Sequence, residues 1–137
     1  MPVLVDTNFL ISVLLADDIN HTKAAAAVGA LRSERRVVVA PVLVELFYLI
    51  EKLAGYPAAV KSIQQTRRLY TIEPLLNVDL QEMENIMLRY QSAEFDYTDA
   101  ALMAVSERLK IEQIYTFDRR DFSIYRPTHC PAFTLLP

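Results

Sequence analysis

The chain has 137 residues, of which 53% are hydrophobic, and it carries a net charge of −3 and one cysteine. These values predict a single globular domain over residues 1–137. They exclude a disordered chain, a disulfide framework and a protein that coats nucleic acid through overall positive charge. No stretch of about 18 apolar residues occurs, and Asp6 interrupts the first apolar segment. We therefore expect a cytoplasmic protein with neither a signal peptide nor a membrane span.

Five short segments rich in branched or aromatic residues predict β-strands, and the segments between them predict α-helices. The predicted strands are 3–5, 37–39, 70–72, 113–116 and 133–136. The predicted helices are 9–15, a helix capped by Asn20 or Thr22 that runs through Ala24 to about Glu34, and 41–54, 56–69, 80–91 and 96–110. Because strands alternate with helices, the sequence indicates an α/β fold with a parallel, doubly wound sheet.

Residue types at helix ends support some of these boundaries. Pro41 and Gly55 stand where helix 41–54 begins and ends, in keeping with the preference for Pro at the start of a helix and Gly just after it. Helix 41–54 is apolar on nearly every side, which predicts a helix buried in the middle of the domain. Asp79 is predicted to cap helix 80–91.

Four acidic residues are predicted to meet at one edge of the sheet. Asp6 and Asp118 each follow an apolar strand directly, whereas Glu45 and Asp99 lie in the first turn of a helix. In α/β units the N-termini of helices lie at the same edge as the carboxyl ends of strands, which is where ligands bind. The four carboxylates are therefore expected on one side of the molecule.

Structural roles are the alternative for individual acids. Asp6 alone fits a turn or a helix cap, and Asp96 with Asp99 fits a capping box. Glu45 is harder to explain in this way, because burying a lone acid in an apolar helix is costly. Three further acids are predicted to be solvated loop charges, namely Asp17, Asp18 and Asp121.

Carboxylates that converge at one edge repel one another unless a cation lies between them. Two carboxylates about 4 Å apart repel by roughly 4 kcal/mol at an effective dielectric constant of about 20. Oxygen ligands without a cluster of His or Cys suit Mg²⁺ or Mn²⁺ better than Zn²⁺. Such ions promote the hydrolysis of phosphodiesters, so the acids predict a metal-dependent hydrolase site.

The segments that carry these acids resemble those of the PIN-domain nucleases and, within that family, the VapC toxins of toxin–antitoxin pairs. They are Val5-Asp6-Thr7-Asn8, Glu45 in its apolar helix, Asp99-Ala100-Ala101, and Thr116-Phe117-Asp118-Arg119-Arg120-Asp121-Phe122. The resemblance covers essentially the whole chain. It implies a three-layer α/β/α fold with a five-stranded parallel sheet flanked by helices, and Mg²⁺- or Mn²⁺-dependent endonucleolytic cleavage of RNA.

The resemblance also implies roles for single residues. The implied catalytic quartet is Asp6, Glu45, Asp99 and Asp118. The candidate metal ligands are Asp6 and Asp99 first, then Glu45, Asp118 and Asp96. Asn8 and Thr116 match supporting polar positions. Asp121 stands where relatives often carry His, so no role is assigned to it.

Partners follow from the resemblance and from two neighbouring arginines. Arg119 and Arg120 directly follow Asp118 and are candidates for binding RNA phosphates, a contact that is independent of base sequence. An equally simple interpretation is that they pair with the acids. The resemblance further implies a homodimer and a cognate antitoxin protein that covers the site.

Two other classes of protein share part of this pattern. An inactive PIN-like interaction module would keep the fold, but the complete acid quartet argues against it. A Mg²⁺-dependent phosphatase or a receiver domain also places Asp at strand ends. However, Asp6-Thr7-Asn8 lacks the second Asp of the phosphatase motif, and no Lys follows Lys110 to supply the late lysine of both classes.

Overall fold

A five-stranded parallel sheet organises the computed structural model, which describes all 137 residues. The strands are β1 (Pro2–Val5), β2 (Arg35–Val39), β3 (Thr71–Glu73), β4 (Gln113–Tyr115) and β5 (Thr134–Leu136). The helices are α1 (Thr7–Leu14), α2 (His21–Leu31), α3 (Ala40–Ala54), α4 (Tyr56–Leu69), α5 (Asn77–Arg89), α6 (Tyr97–Leu109) and α7 (Arg120–Ile124). A 3₁₀ turn (Gln91–Ala93) precedes α6.

The strand order is β3-β2-β1-β4-β5, and every neighbouring pair is parallel. Helices α1 to α4 form one packed group and α5, α6 and α7 form a second, with further contacts between α3 and α6. The predicted three-layer α/β/α fold with a five-stranded parallel sheet is therefore confirmed. No helix is both long and apolar enough to cross a membrane.

Strand β1 lies in the centre of the sheet, between β2 and β4. The side chains of Val3, Leu4 and Val5 are completely buried, as expected for a central parallel strand covered on both faces. Because all strands are parallel, their carboxyl ends share one edge of the sheet. Asp6 immediately follows β1 and is thus held at the middle of that edge.

Helix α3 begins and ends as predicted, but its environment differs from the prediction. Pro41 lies in its first turn, and Gly55 follows its last residue with a φ of 95°, a backbone conformation that favours glycine. The prediction of burial on nearly every side is wrong: Val44, Tyr48 and Leu53 are 74%, 57% and 65% exposed. Only one face of α3 packs into the core, through Val42, Leu46 and Ile50.

A partly buried ion-pair cluster connects α6 to β3 and α5. The Arg108 guanidinium donates to both carboxylate oxygens of Asp79, over 2.8 and 2.9 Å, and to Glu73 over 2.9 Å. Asp79 was predicted to be the N-cap of its helix, but α5 begins earlier, at Asn77. Asp79 instead lies in the first turn, where its carboxylate accepts a hydrogen bond from the Leu76 N–H.

Candidate metal centre at the carboxyl edge of the sheet

Asp6 combines a structural role with a position in the site. One carboxylate oxygen, Oδ1, accepts a 2.7 Å hydrogen bond from the Thr7 N–H and so caps α1. The other oxygen, Oδ2, accepts hydrogen bonds from the Thr116 hydroxyl at 2.9 Å and from the Asn8 amide at 3.3 Å. Asp6 is only 4% exposed. The helix-cap interpretation and the site interpretation are therefore compatible.

Asn8 and Thr116 connect the end of β1 to the turn after β4. The side-chain amide oxygen of Asn8, Oδ1, accepts a 2.9 Å hydrogen bond from the Phe117 N–H. The Thr116 Oγ1 accepts a 3.1 Å hydrogen bond from the Asp118 N–H. These bonds fix the two strand ends relative to each other, so the positions of Asp6 and Asp118 are coupled.

Three carboxylates converge in a group that does not include Asp6, although Asp6 is near enough for its charge to raise the pKa of Asp99. Asp99, Asp118 and Asp121 each offer an oxygen, and these oxygens lie within 4.8 Å of one another. Asp99 lies in the first turn of α6 and is 6% exposed, whereas Asp118 is exposed on the turn after β4. Three hard oxygen donors at this spacing fit a single Mg²⁺ or Mn²⁺ ion.

Burial and mutual repulsion favour the protonated forms of two of these acids. Burial raises the pKa of Asp6 from 3.8 to about 6, against the opposing hydrogen bonds from Thr116 and Thr7, and the charges of Glu45 and Asp118 raise it further. Burial likewise raises the pKa of Asp99 to about 9, assisted by the negative charge of Asp6 and by a hydrogen bond with Asp121. A bound cation would offset this cost.

Glu45 and Asp96 lie at the periphery of this group. Glu45 is half-buried in the second turn of α3 and not in the first turn as predicted, because α3 begins at Ala40; it is close enough for its charge to raise the pKa of Asp6. Asp96 is exposed and accepts a 2.8 Å hydrogen bond from the Asp99 N–H, so it is the N-cap of α6. Asp99 does not reach back to complete a capping box, because its side chain faces Asp118 and Asp121.

The prediction that Asp121 is a solvated loop charge is wrong. It is 9% exposed because the short helix α7, which the sequence analysis did not identify, turns it towards Asp99. Its carboxylate accepts a 2.6 Å hydrogen bond from Arg120. The sequence carries only a weak signal for α7, namely two aromatic residues, Phe122 and Tyr125, that are three positions apart, or about one helical turn.

The two arginines after Asp118 differ in their contacts. Arg120 is 65% exposed and pairs with Asp121, so its guanidinium lies beside the acids. Arg119 donates a 2.6 Å hydrogen bond to the backbone carbonyl of Pro137. Arg120 therefore borders the acidic group directly, whereas Arg119 contacts the last residue of the chain.

Comparison with known proteins agrees with this geometry. The family model described as the PIN domain matches residues 3–126. The chain belongs to the PIN-domain family. This confirms the resemblance predicted from the acidic segments, which all lie within the matched residues.

Individual relatives extend the likeness to VapC proteins. Ribonuclease VapC26 of Mycobacterium tuberculosis is 26% identical over 137 residues, covering 98% of this chain and all of that protein. The crystal structure of M. tuberculosis VapC20, a sarcin-ricin loop cleaving toxin, has a TM-score of 0.77 at 23% identity and covers 85% of this chain and 90% of its own. VapBC2 from Rickettsia felis, bound to a promoter DNA fragment, has a TM-score of 0.76 at 11% identity over the full length of both chains.

Proposed function

We propose that this PIN-domain protein is a Mg²⁺- or Mn²⁺-dependent endoribonuclease and the toxin of a toxin–antitoxin pair. The observation that carries the proposal is the excess of buried carboxylates over cations at the carboxyl edge of the sheet. Asp6 and Asp99 are both buried there, and Arg120 is the one basic side chain paired with the group. Such an excess disfavours the ionised state of these carboxyl groups unless a divalent cation binds beside them.

The acids would divide the work of phosphodiester hydrolysis. A divalent cation in this site supplies the positive charge that lowers the pKa of water and stabilises the departing oxygen. Asp6 and Asp99, with Asp118 and Asp121 beside them, would hold that cation. Glu45, on the adjacent helix, would orient the attacking water or help to hold a second cation. Asp96 is left as the cap of α6.

The polar neighbours would position these groups. Thr116 and Asn8 hydrogen-bond to Asp6 and would fix the rotamer of its carboxylate, as groups bonded to metal ligands commonly do. Arg120 would exchange its contact with Asp121 for a phosphate oxygen of the bound RNA. Arg119 would add a second phosphate contact, also independent of sequence.

The relatives support two partners for this chain. VapC20 is described as cleaving the sarcin-ricin loop, which supports RNA as the substrate here. Several structural neighbours are toxin–antitoxin complexes, among them one from Klebsiella pneumoniae and VapBC-1 from Haemophilus influenzae. A cognate antitoxin that covers the acidic edge is therefore part of the proposal.

In addition to the RNA and the antitoxin, we expect a second copy of the chain as a partner, in a homodimer. Val44 and Tyr48, one turn apart on α3, border a groove of about 610 Å³ together with Leu75 and Tyr97. Exposed apolar groups grouped in this way are typical of an interaction surface. Glu45 of the acidic site also lines this groove, so we assign only its exposed apolar part, Val44 and Tyr48, to a second copy of the chain. Light scattering should then give twice the chain mass, and Tyr48→Lys should give a folded monomer; a wild-type monomer would contradict the assignment.

A cleavage assay tests the nuclease proposal. Purified protein should degrade a mixed RNA pool with Mn²⁺ but not with EDTA, and Asp6→Asn should reduce the rate by at least about 100-fold, since even a lost outer-shell partner costs about 10- to 100-fold. Asp17→Asn, a change of an exposed acid outside the site, is the matched control. Equal cleavage by Asp6→Asn would overturn the proposal, and no cleavage by the wild type would favour an inactive interaction module.

A further inference from the structure

The edge of the sheet opposite the acids is rich in arginine. Because the sheet is parallel, this edge contains the N-terminal ends of the strands and the C-terminal ends of α2 and α4. Five arginines lie there, and we call them the basic edge: Arg32, Arg35, Arg36, Arg67 and Arg68. Acidic and basic side chains are thus separated to opposite ends of the strands.

Strand pairing brings the arginines of α4 next to those of β2. Val37 of β2 is paired with Thr71 of β3, so the residues just before each strand are also neighbours. The Arg36 guanidinium accordingly lies over the Tyr70 ring, 5.6 Å from its centroid. Arg67 and Arg68 occupy the last turn of α4, directly before Tyr70. The arginines at the start of β2 and at the end of α4 are therefore neighbours along this edge.

The charges of the basic edge are not neutralised by carboxylates. None of its five arginines forms an ion pair, while the N-terminal ammonium is bonded to the neighbouring Glu34 at 3.0 Å. The chain as a whole carries a net charge of −3. Since free arginines are grouped at one end of a net acidic protein, the local field there attracts an anion.

The shape and chemistry of this surface suit phosphate groups. Gln64, Arg67 and Arg68 line a surface depression of about 400 Å³. The planar guanidinium presents several N–H donors in a geometry that matches two phosphate oxygens, and the Gln64 amide offers a further donor. Several arginines side by side match a polymer of phosphates better than a single anion.

We propose that the basic edge binds the phosphate backbone of the RNA substrate at a distance from the bond that is cut. This inference rests on the proposed nuclease function. The last residue of β2, Val39, lies at the same edge of the sheet as the acidic site. Arg35 precedes Val39 by four residues, so the two residues are roughly 13 Å apart along the strand at about 3.3 Å per residue. A folded RNA can contact both ends of the strands, whereas a trinucleotide, which has only two adjacent phosphates, reaches only one.

Binding measurements in the Asp6→Asn background test this site without cleavage. The probe is an RNA stem-loop of about 30 nucleotides, titrated at salt concentrations between about 50 and 200 mM. Arg67→Gln/Arg68→Gln should weaken binding about 10-fold and reduce the salt-dependence slope by about 1.4 to 1.8, the value for two lost phosphate contacts. Both arginines are exposed and make no side-chain hydrogen bond, so the melting temperature should not change.

The matched control removes two exposed charges elsewhere, with Lys23→Gln/Arg89→Gln. An unchanged affinity and slope for the Arg67/Arg68 pair would overturn the proposal, as would an equal loss for the control pair. If the Arg67→Gln/Arg68→Gln variant loses affinity for an acidic antitoxin segment but keeps its affinity for RNA, the site binds protein and the proposal is wrong.

Cleavage by the active protein separates this inference from the nuclease proposal. With the Asp6 carboxylate intact, Arg67→Gln/Arg68→Gln should cut a trinucleotide at the wild-type rate but cut the stem-loop more slowly, because only the longer RNA places phosphates on the basic edge while another of its linkages lies in the acidic site. Equal slowing on both RNAs would contradict a remote site. If the wild type cuts neither RNA, the nuclease proposal fails. The binding measurement still tests whether the basic edge binds RNA.

Discussion

Two groups of carboxylates in this protein are buried to a similar degree but differ in their counter-charges. Asp79 is 2% exposed, and Asp6 is 4% exposed. Both oxygens of Asp79 are bonded to Arg108, whereas Asp6 accepts only neutral hydrogen bonds and faces other acids. Burial alone therefore does not mark a functional acid. The difference lies in whether the fold supplies the compensating cation.

The ion-pair cluster should respond to substitution as a structural element. Arg108→Met leaves the buried Asp79 carboxylate without its cation and should lower the free energy of unfolding by about 3 kcal/mol, as expected for a broken buried pair. Urea denaturation measures this loss. Arg89→Gln is the control. The Arg89 side chain is 52% exposed and its contact with Glu82 is long, at 3.9 Å, so the loss of this surface pair should change the free energy of unfolding by close to zero. An Arg108→Met protein as stable as the wild type would contradict the claim that the Arg108–Asp79 pair stabilises the fold.

The acidic edge should instead make stability depend on pH. The folded state raises the pKa of Asp6 from 3.8 to about 6, so it favours the protonated carboxyl group. The resulting stabilisation is fully present below about pH 4 and is lost as the pH rises through about 6, a change of about 3 kcal/mol. Asp6→Asn does not titrate. Denaturation in EDTA should show the wild type losing stability relative to Asp6→Asn over this range, and parallel pH profiles would contradict the argument.

Metal binding should give the smallest of the three effects. Mn²⁺ at ten times its Kd stabilises the folded state by about 1.4 kcal/mol, which corresponds to a few degrees in Tm. Asp99→Asn should show a smaller rise than the wild type, because it lacks one carboxylate of the cluster. Arg108→Met should keep the full rise, since its defect lies outside the site. An unchanged wild-type Tm would count against a preformed metal site.

The fold was largely predictable because its sequence signals are local. Branched residues at 3–5 and 37–39 indicated strands, and Pro41 and Gly55 correctly bounded α3. The apolar character of α3 predicted too much burial, because periodicity cannot separate a core face from an exposed apolar face such as that of Val44 and Tyr48. That distinction depends on which neighbours cover the helix.

The acidic site was predictable only in part, for a related reason. Asp6 and Asp118 follow strands, so the parallel sheet alone brings them to one edge. Asp121 was missed because α7 has only five residues, too few for a periodic pattern to be evident. The bond between Arg108 and Asp79 joins residues 29 apart, and no local signal connects them.

The hydrogen bond between Thr116 and Asp6 has a consequence for the order in which the molecule assembles. It joins residues 110 apart, and β1 must wait for β4 before its second neighbour is present. Contacts so distant along the chain form late and close large loops. A growing polypeptide therefore contains Asp6 long before Thr116 has emerged, and it gains an organised acidic edge only when both strand ends are present.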